Sequence, residues 1–365
     1  MTVPTVNVLL WGVGALGTSV ARLLAGDRRF RIVGATDADP RIAGRPLSEV
    51  VGTQRGIDPV VLPSIESSID SAAGPVDVIL HMTESDPERV VGQLHVALMC
   101  GANVVTAAEW MYHPTLRYAS LAESLDTKAS EYGVSVTGAG INPGFVFDRL
   151  ALCAASANMG IRRVQMNRVV VVKGSGPGDR EHAGYGLAPA AFEKGLAAGT
   201  IVGHMGFPEQ IAVLAERLGV VIDQIDERWE PSTSARTVST AGGELQAGSV
   251  TTIIQECIGS LAGDAKISAR LAMYCDDQQI ESFDELRLNG AYDVCLTLSP
   301  GCPSIVGAAS VMINAIPLVM DAPPGLASFI DLPRGNVPRP QFRVSITSTR
   351  ADRLSVTHVV SISEV

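Results

Sequence analysis

The chain has 365 residues, a formal net charge of −10 and 46% hydrophobic residues, of which only a small share are aromatic. The length makes two domains the natural expectation, and the acidic balance argues against nucleic acid or an anionic membrane as the main partner. A core poor in aromatics has to be built from Val, Ile, Leu, Ala and Met, which suits parallel strands buried beneath helices. Met1 to Asn7 lacks the basic start of a signal peptide, and no apolar run reaches the length of a membrane span. Cys100, Cys153, Cys257, Cys275, Cys295 and Cys302 form no CxxC pair, so buried thiols in a reducing, cytoplasmic setting are expected. The six histidines show no pair at ligand spacing, and no catalytic metal is expected.

In chain order, Val6 to Trp11 reads as a buried strand, Ala15 to Leu24 as a helix with a small-residue face, and Phe30 to Thr36 as a second strand. Val76 to Met82 is a further strand, followed by a helix from Pro87 to Cys100 that ends at Gly101. Asn103 to Thr106 and Val134 to Thr137 read as strands on either side of a helix from Pro114 to Tyr132. Strands alternating with helices give an α/β fold, a Rossmann-type doubly wound parallel sheet, over residues 1–148. Over residues 149–302 the pattern changes to successive strands: Val164 to Val172, Val220 to Asp226, Ser234 to Thr240, Ser249 to Ile258, Ala265 to Tyr274, Glu285 to Leu288 and Asp293 to Leu298. Helices from Ala188 to Ala198 and Pro208 to Leu218 interrupt them. This predicts a second, α+β domain on a mostly antiparallel sheet, for substrate binding and dimerisation, with a homodimer formed through the free face of that sheet. Residues 303–335, with an apolar helix from Ser304 to Met320, are expected to return to the first domain. Residues 336–365 form a tail of uncertain placement, with two strand-like runs.

The strongest motif is Gly12-Val13-Gly14-Ala15-Leu16-Gly17, directly after a strand and opening a helix. The first glycine permits the tight turn, the second lets the backbone approach a pyrophosphate, and the third lets helix and strand pack closely. The helix N-terminus then offers unpaired amides and a favourable dipole to the phosphates. Asp37, twenty residues beyond Gly17 at the end of the second strand, can accept the ribose hydroxyls of an adenosine. It favours NAD over NADP by repelling a 2′-phosphate, whereas Arg41 can swing onto that phosphate, so both cofactors stay open. The competing account of Asp37 is a turn cap in Asp37-Ala38-Asp39-Pro40. The segments His81-Met82-Thr83-Glu84-Ser85, Ala107-Ala108-Glu109-Trp110 and Gly138 to Phe145 are expected at the same sheet edge, where ligands of such sheets bind.

The start GVGALG, the strand ending TDAD, the HMTES loop, VVTAAEW, GAGINPGFVFD, GHMGFPEQ and the late INAIP and PPGL segments together resemble the 2,4-diaminopentanoate dehydrogenases and related native amine dehydrogenases, which share the dihydrodipicolinate reductase-like fold. The resemblance covers most of residues 5 to 333. It implies an NAD(P)-dependent oxidoreductase for a small amine or carbonyl substrate and ammonia, with Glu109 as the catalytic carboxylate. The chemistry agrees independently: an alkylammonium (pKa roughly 10.4 for a lysine-like amine) releases no hydride until a base takes its proton, and the same carboxylate can then activate water. Asn142 and Pro143 are expected at the nicotinamide carboxamide, with a plain turn as the competing account. His204 resembles a position near substrate, with a hydrogen-bonded structural histidine as the competing account, and Phe145, Asn167, Tyr185, Cys302 and Ser304 are candidates to line an apolar pocket. His81 reads as packing beside the cofactor.

Dihydrodipicolinate reductases carry a His-His pair ahead of a lysine and then a PSGT loop, whereas the comparable strand here is Val169-Val170-Val171-Val172-Lys173 followed by GSGPGD. A dicarboxylate substrate is therefore disfavoured. Arg162, Arg163 and Arg168 are the candidates for a clamp on the carboxylate of a diamino acid; a simple amine in an apolar pocket is the preferred expectation. Another imine or carbonyl reductase of the same fold, and a non-enzymatic dinucleotide-binding redox sensor, remain the alternatives.

Overall fold

A computed structural model of the chain describes residues 5–53, 59–172, 183–201, 203–240, 242–261, 265–275, 280–333, 342–350 and 356–364. Lys173 and the glycine-rich segment after it lie outside these residues. The first half contains β1 (Val6–Trp11), α1 (Ala15–Leu24), β2 (Phe30–Thr36), α2 (Leu47–Val51), β3 (Val61–Leu62), α3 (Ile65–Asp70), β4 (Val78–His81), α4 (Pro87–Met99), β5 (Asn103–Thr106), α5 (Ala119–Glu131) and β6 (Ser135–Gly138). Then follow α6 (Arg149–Ala155), β7 (Arg163–Val171), α7 (Pro189–Ala197), α8 (Phe207–Leu218), β8 (Ile222–Thr233), β9 (Val238–Thr240), β10 (Gly243–Leu245), β11 (Val250–Leu261), β12 (Lys266–Tyr274), β13 (Phe283–Asn289) and β14 (Asp293–Leu298). The last elements are α9 (Ser304–Met320), β15 (Gly325–Leu326), β16 (Phe342–Arg350) and β17 (Val356–Glu364).

Seven parallel strands in the order β15-β6-β5-β4-β1-β2-β3 make the first sheet. Its central strands are fully buried, as the unbroken run Val8-Leu9-Leu10 requires when helices cover both faces. The helix expected over Pro114 to Tyr132 is shorter: Pro114–Leu116 is a single 3-10 turn, and α5 starts only at Ala119. Helix α6 follows Asp148, whose side chain accepts the N–H of Arg149 at 2.5 Å.

The second sheet has the order β14-β13-β7-β12-β11-β8, antiparallel throughout except for the parallel pair β7–β12. Alternation along β11 and β12 buries one face, on which α8 lies with Ile211 over Gly259. Helix α8 is amphipathic, begins with Pro208 in its first turn and ends on Gly219 in a left-handed conformation. Helix α9 packs on α1 and β5, and Gly307 meets Ile141. One continuous apolar core, including Leu80, Phe147, Ile211, Ala269 and Ile316, joins both sheets into a compact unit over Met1–Leu332. Each Leu, Ile or Phe side chain among these contributes about 1.5–3 kcal/mol when fully buried. Residues Pro333–Val365 form a separate unit, in which β16 and β17 pair as an antiparallel hairpin.

Candidate active site

The parallel register puts five strand ends in one row: Trp11 pairs with Thr36 and with His81, His81 with Thr106, and Thr106 with Gly138. The next residues on each strand therefore share one carboxyl edge: the glycine loop, Asp37, Met82-Thr83, Ala107 to Glu109 and Ala139 to Phe145. Gly12 has φ +98°, and a Cβ there would stand 2.4 Å from the carbonyl oxygen of Met82. A Cβ on Gly17 would stand 2.0 Å from the carbonyl oxygen of Gly12, which holds Ala15 and Leu16 in the first turn of α1 close against the strand. At Gly14 a Cβ meets nothing within 4 Å, and no side chain caps the helix that starts there. That open cradle of backbone amides fits a pyrophosphate.

Asp37 Oδ2 accepts the N–H of Val13 at 2.8 Å and Oδ1 the N–H of Asp39 at 2.9 Å, so the carboxylate braces the glycine loop and also caps the turn after β2. Arg41 is bound instead to Asp39 through Nε at 3.0 Å and Nη2 at 2.6 Å, and its guanidinium holds the exposed Asp39 carboxyl down at about 2. Asn142 Oδ1 is buried without a hydrogen-bond partner among the described residues, an acceptor that suits the amide N–H of a nicotinamide carboxamide. These residues thus fit a dinucleotide. His81 is fully buried with both ring nitrogens engaged, Nδ1 with Thr106 at 2.9 Å and Nε2 with Gln93 at 2.7 Å and Thr83 at 2.9 Å. Burial depresses its pKa to about 4, so the ring is neutral and belongs to the scaffold beneath the cofactor edge.

Glu109 opens a 3-10 turn after β5. Its Oε1 accepts from Nδ1 of His204 at 3.0 Å and its Oε2 from the N–H of Met205 at 2.7 Å, both on the loop before α8. Burial pushes this carboxyl up, but the His204 ring, the Met205 N–H and the Arg117 charge outweigh it and hold it below the ordinary carboxylate range. The side chain keeps 30% exposure, so it is reachable from solvent. His204 Nε2 is buried without a partner among the described residues, and its ring lies edge-on to Phe207 at 4.3 Å between centroids. A Cβ on Gly206 would stand 2.6 Å from Cδ of Pro143, so the His204 loop sits directly against the Asn142-Pro143 turn. Asp148 ties that turn to α8, accepting from Gly144 N–H at 2.7 Å and from Gln210 Nε2 at 2.9 Å.

The other pocket candidates separate. Phe145 is half-buried against the main core. Cys302 donates its N–H to Asp284 at 2.7 Å, and Ser304 accepts from Arg168 at 3.1 Å. Arg168 is buried in an ion pair with Asp284 at 2.5 Å, on the face of the sheet that Gln255 and Leu271 share in register. It is thus committed to the fold rather than open as a clamp; Arg162 and Arg163 are exposed at the strand start. Asn167 alternates with Met166 and Arg168, projects from the opposite face and bonds Arg270 at 3.1 Å, so it is not brought to Glu109. Tyr185 joins a separate cluster with Phe192 and Ile253; its hydroxyl is buried without a partner among the described residues, and burial drives its pKa up.

Sequence reasoning missed Arg117, Glu209, Gln210 and Gln255. Arg117 bonds Glu209 at 2.6 Å and the Met205 carbonyl at 2.7 Å. The detectable signal was in α8, where Glu209 and Gln210 occupy positions that the apolar stripe buries. No group of three His, Cys, Asp or Glu able to hold a metal occurs among the described residues, and no helix of the described residues is long and apolar enough to cross a membrane.

Residues 145–347 match the family model of the 2,4-diaminopentanoate dehydrogenase C-terminal domain. The chain is 30% identical over 338 residues to a 2,4-diaminopentanoate dehydrogenase of Acetoanaerobium sticklandii, an alignment covering 92% of this chain and 94% of that protein. Among solved structures, an amine dehydrogenase from Mycobacterium smegmatis superposes with a TM-score of 0.82 at 21% identity, over 91% of this chain and 97% of that one. GenD2 from gentamicin A biosynthesis, solved in complex with NAD, gives a TM-score of 0.50 at 16% identity, over 82% and 74% of the two chains.

Proposed function

The chain belongs to the 2,4-diaminopentanoate dehydrogenase family, and from that premise we propose that it is an NAD(P)-dependent amine dehydrogenase in which Glu109 is the acid/base. The observation that carries this reading is the Glu109 carboxylate, held ionised by His204 and Met205 beside the turn that carries the unpartnered Asn142 oxygen. Bound NAD(P)+ supplies the hydride acceptor. Glu109 attracts the substrate ammonium and takes one of its protons, which frees the nitrogen lone pair to form C=N as the C–H hydride departs. Glu109 hands that proton to solvent and, a carboxylate again, accepts one from the water that adds to the iminium carbon. It returns this proton to nitrogen, and as the C–N bond breaks the hydroxyl proton leaves, giving a carbonyl product and ammonia. Run backward, the same steps are reductive amination.

We favour a small, simple amine, since Arg168, the buried candidate for a carboxylate clamp, is committed to Asp284. The 30% identity to a 2,4-diaminopentanoate dehydrogenase supports the diamino acid as a second reading. Incubating the protein with NADH or NADPH, ammonia and a panel of small aldehydes and ketones, alongside 2,4-diaminopentanoate with NAD+ or NADP+, separates them. Ammonia-dependent oxidation of the reduced cofactor supports the simple amine, and turnover of the diamino acid alone supports the second reading. Reduction without ammonia replaces both with a carbonyl reductase.

We further propose that the protein works in the cytoplasm as a homodimer, paired through the outer face of the second sheet. There Glu285, Asn167, Arg270, Glu256 and Arg228 stand side by side on adjacent strands. Such a row of alternating charge can complement itself about a two-fold axis. Sedimentation of the protein and of Arg270→Glu tests this: the dimer should weaken in the variant, and a wild-type monomer rules it out.

A further inference from the structure

Glu109 reaches the site from the edge of the parallel sheet, yet both groups that bond its carboxylate belong to consecutive residues 95 and 96 positions later. His204 and Met205 lie in the loop ahead of α8 and have no ladder of their own. A loop can present two donors at fixed spacing only where its backbone is tied down on other sides.

Two side chains supply those ties. Gln255 on β11 is fully buried; its Oε1 accepts the His204 N–H at 3.0 Å and its Nε2 donates to the His204 carbonyl at 2.6 Å. The amide thus bonds both sides of one residue as a neighbouring strand would. The second Nε2 hydrogen is spent on Glu227 at 2.7 Å, which fixes the amide's orientation. Arg117 donates Nη2 to the Met205 carbonyl at 2.7 Å and Nε to Glu209 at 2.6 Å. Met205 is therefore held from both ends, its N–H by Glu109 and its carbonyl by Arg117.

We infer that Gln255 and Arg117 are positioning residues for the reaction: by gripping the His204-Met205 segment they aim the Glu109 carboxylate at the substrate nitrogen, and neither touches substrate. The inference rests on Glu109 acting as the acid/base. The two grips differ in a way that experiment can read. Arg117 brings a positive charge toward Glu109, together with His204, while Glu209 and Glu227 stand behind as the partners of Arg117 and Gln255. Gln255 brings geometry alone.

The test compares Arg117→Met, Arg117→Lys and Gln255→Met with the wild type, in reductive amination of the best carbonyl of the panel. All three should lower kcat about tenfold or more, as loss of buried hydrogen bonds implies, with KM for NADH within about twofold. Arg117→Met should also move the acid limb of the kcat/KM profile to higher pH. Arg117→Lys, which keeps the charge but not the fork, should restore that limb without restoring kcat, and Gln255→Met should leave it in place. Should Gln255→Met fail to fold, the half-exposed Arg117 pair still decides the matter. Folded variants with wild-type kcat and wild-type pH profiles overturn the inference. If the wild type turns over nothing, the proposed function fails by itself. The inference is then read from the His204 signal in histidine-13C-labelled protein, assigned by His204→Gln. That signal should shift in Gln255→Met and Arg117→Met; an unmoved signal overturns the inference.

Discussion

Nδ1 of His204 lies 3.0 Å from Oε1 of Glu109, a bond between the loop before α8 and the edge of the parallel sheet. An ionised carboxylate only accepts, so this geometry fixes the ring with Nδ1 as the donor and leaves Nε2 toward Phe207. The pair makes Glu109 a carboxylate that stays charged while partly desolvated, which a base for an alkylammonium requires.

Replacing Glu109 by Gln keeps the acceptor oxygen for Met205 and removes the base. The expected result is a loss of about 10²–10⁴ in kcat, with NADH binding little changed. A variant that retained most of its turnover would falsify the assignment of the acid/base role.

The pH dependence follows from the direction of the Glu109 shift. Its folded pKa is lowered, chiefly by His204 acting against burial, so the carboxylate loses its charge only when pH falls below the usual carboxylate range. Its contribution to stability is likewise full above the unfolded value and fades as pH falls through the folded one. In His204→Phe the acid limb of the kcat/KM profile should move to higher pH. A limb that stayed in place would mean another group sets it.

His81 gives a separate signature in stability. Its folded pKa of about 4 stands below the ordinary histidine value of 6.5, because burial penalises the charged ring. The unfolded chain therefore binds more protons between those values. Stability should fall as pH drops from about 6.5 to 4, by roughly 3 kcal/mol, and level off below. Urea melts across that window should show the slope, and His81→Gln should flatten it.

The glycines of the loop have separable roles. Gly17→Ala drives a Cβ into the Gly12 carbonyl oxygen at 2.0 Å and should cost about 3 kcal/mol of stability without any cofactor present. Gly14→Ala meets no protein atom within 4 Å, so its cost in the free protein should be about 1 kcal/mol or less. NADH titration should nevertheless show binding weakened roughly tenfold or more, about 1.4 kcal/mol, since the added methyl occupies the phosphate approach. Unchanged affinity in Gly14→Ala would place the pyrophosphate elsewhere.

Cofactor preference turns on two carboxylates. Asp37, at the end of β2, would repel a 2′-phosphate, and Asp39 retains Arg41 in an ion pair. The double variant Asp37→Ser, Asp39→Ser should move the NADP to NAD ratio of kcat/KM toward NADP by roughly ten- to hundredfold, equivalent to about 1.4–2.8 kcal/mol. Steady-state rates with both cofactors check it.

The sequence by itself determined those features whose cause is local in the chain. The glycine spacing, the aspartate after β2 and the buried run Val8 to Leu10 each carry their physics within a few residues. Helix and strand periodicity likewise placed α1 and α9 at their observed bounds. Glu109 was found through its motif, since one carboxylate after a strand says little alone. Only the tertiary structure decided who holds it. His204, Met205, Arg117 and Gln255 meet through contacts of 51 to 96 residues' separation, which no local pattern encodes. The face on which Asn167 projects and the burial of Arg168 against Asp284 were also decided there. A strand reads as alternating, but which alternate meets the core depends on register with the neighbouring strands β12 and β13, and that is set by the packing of the whole sheet.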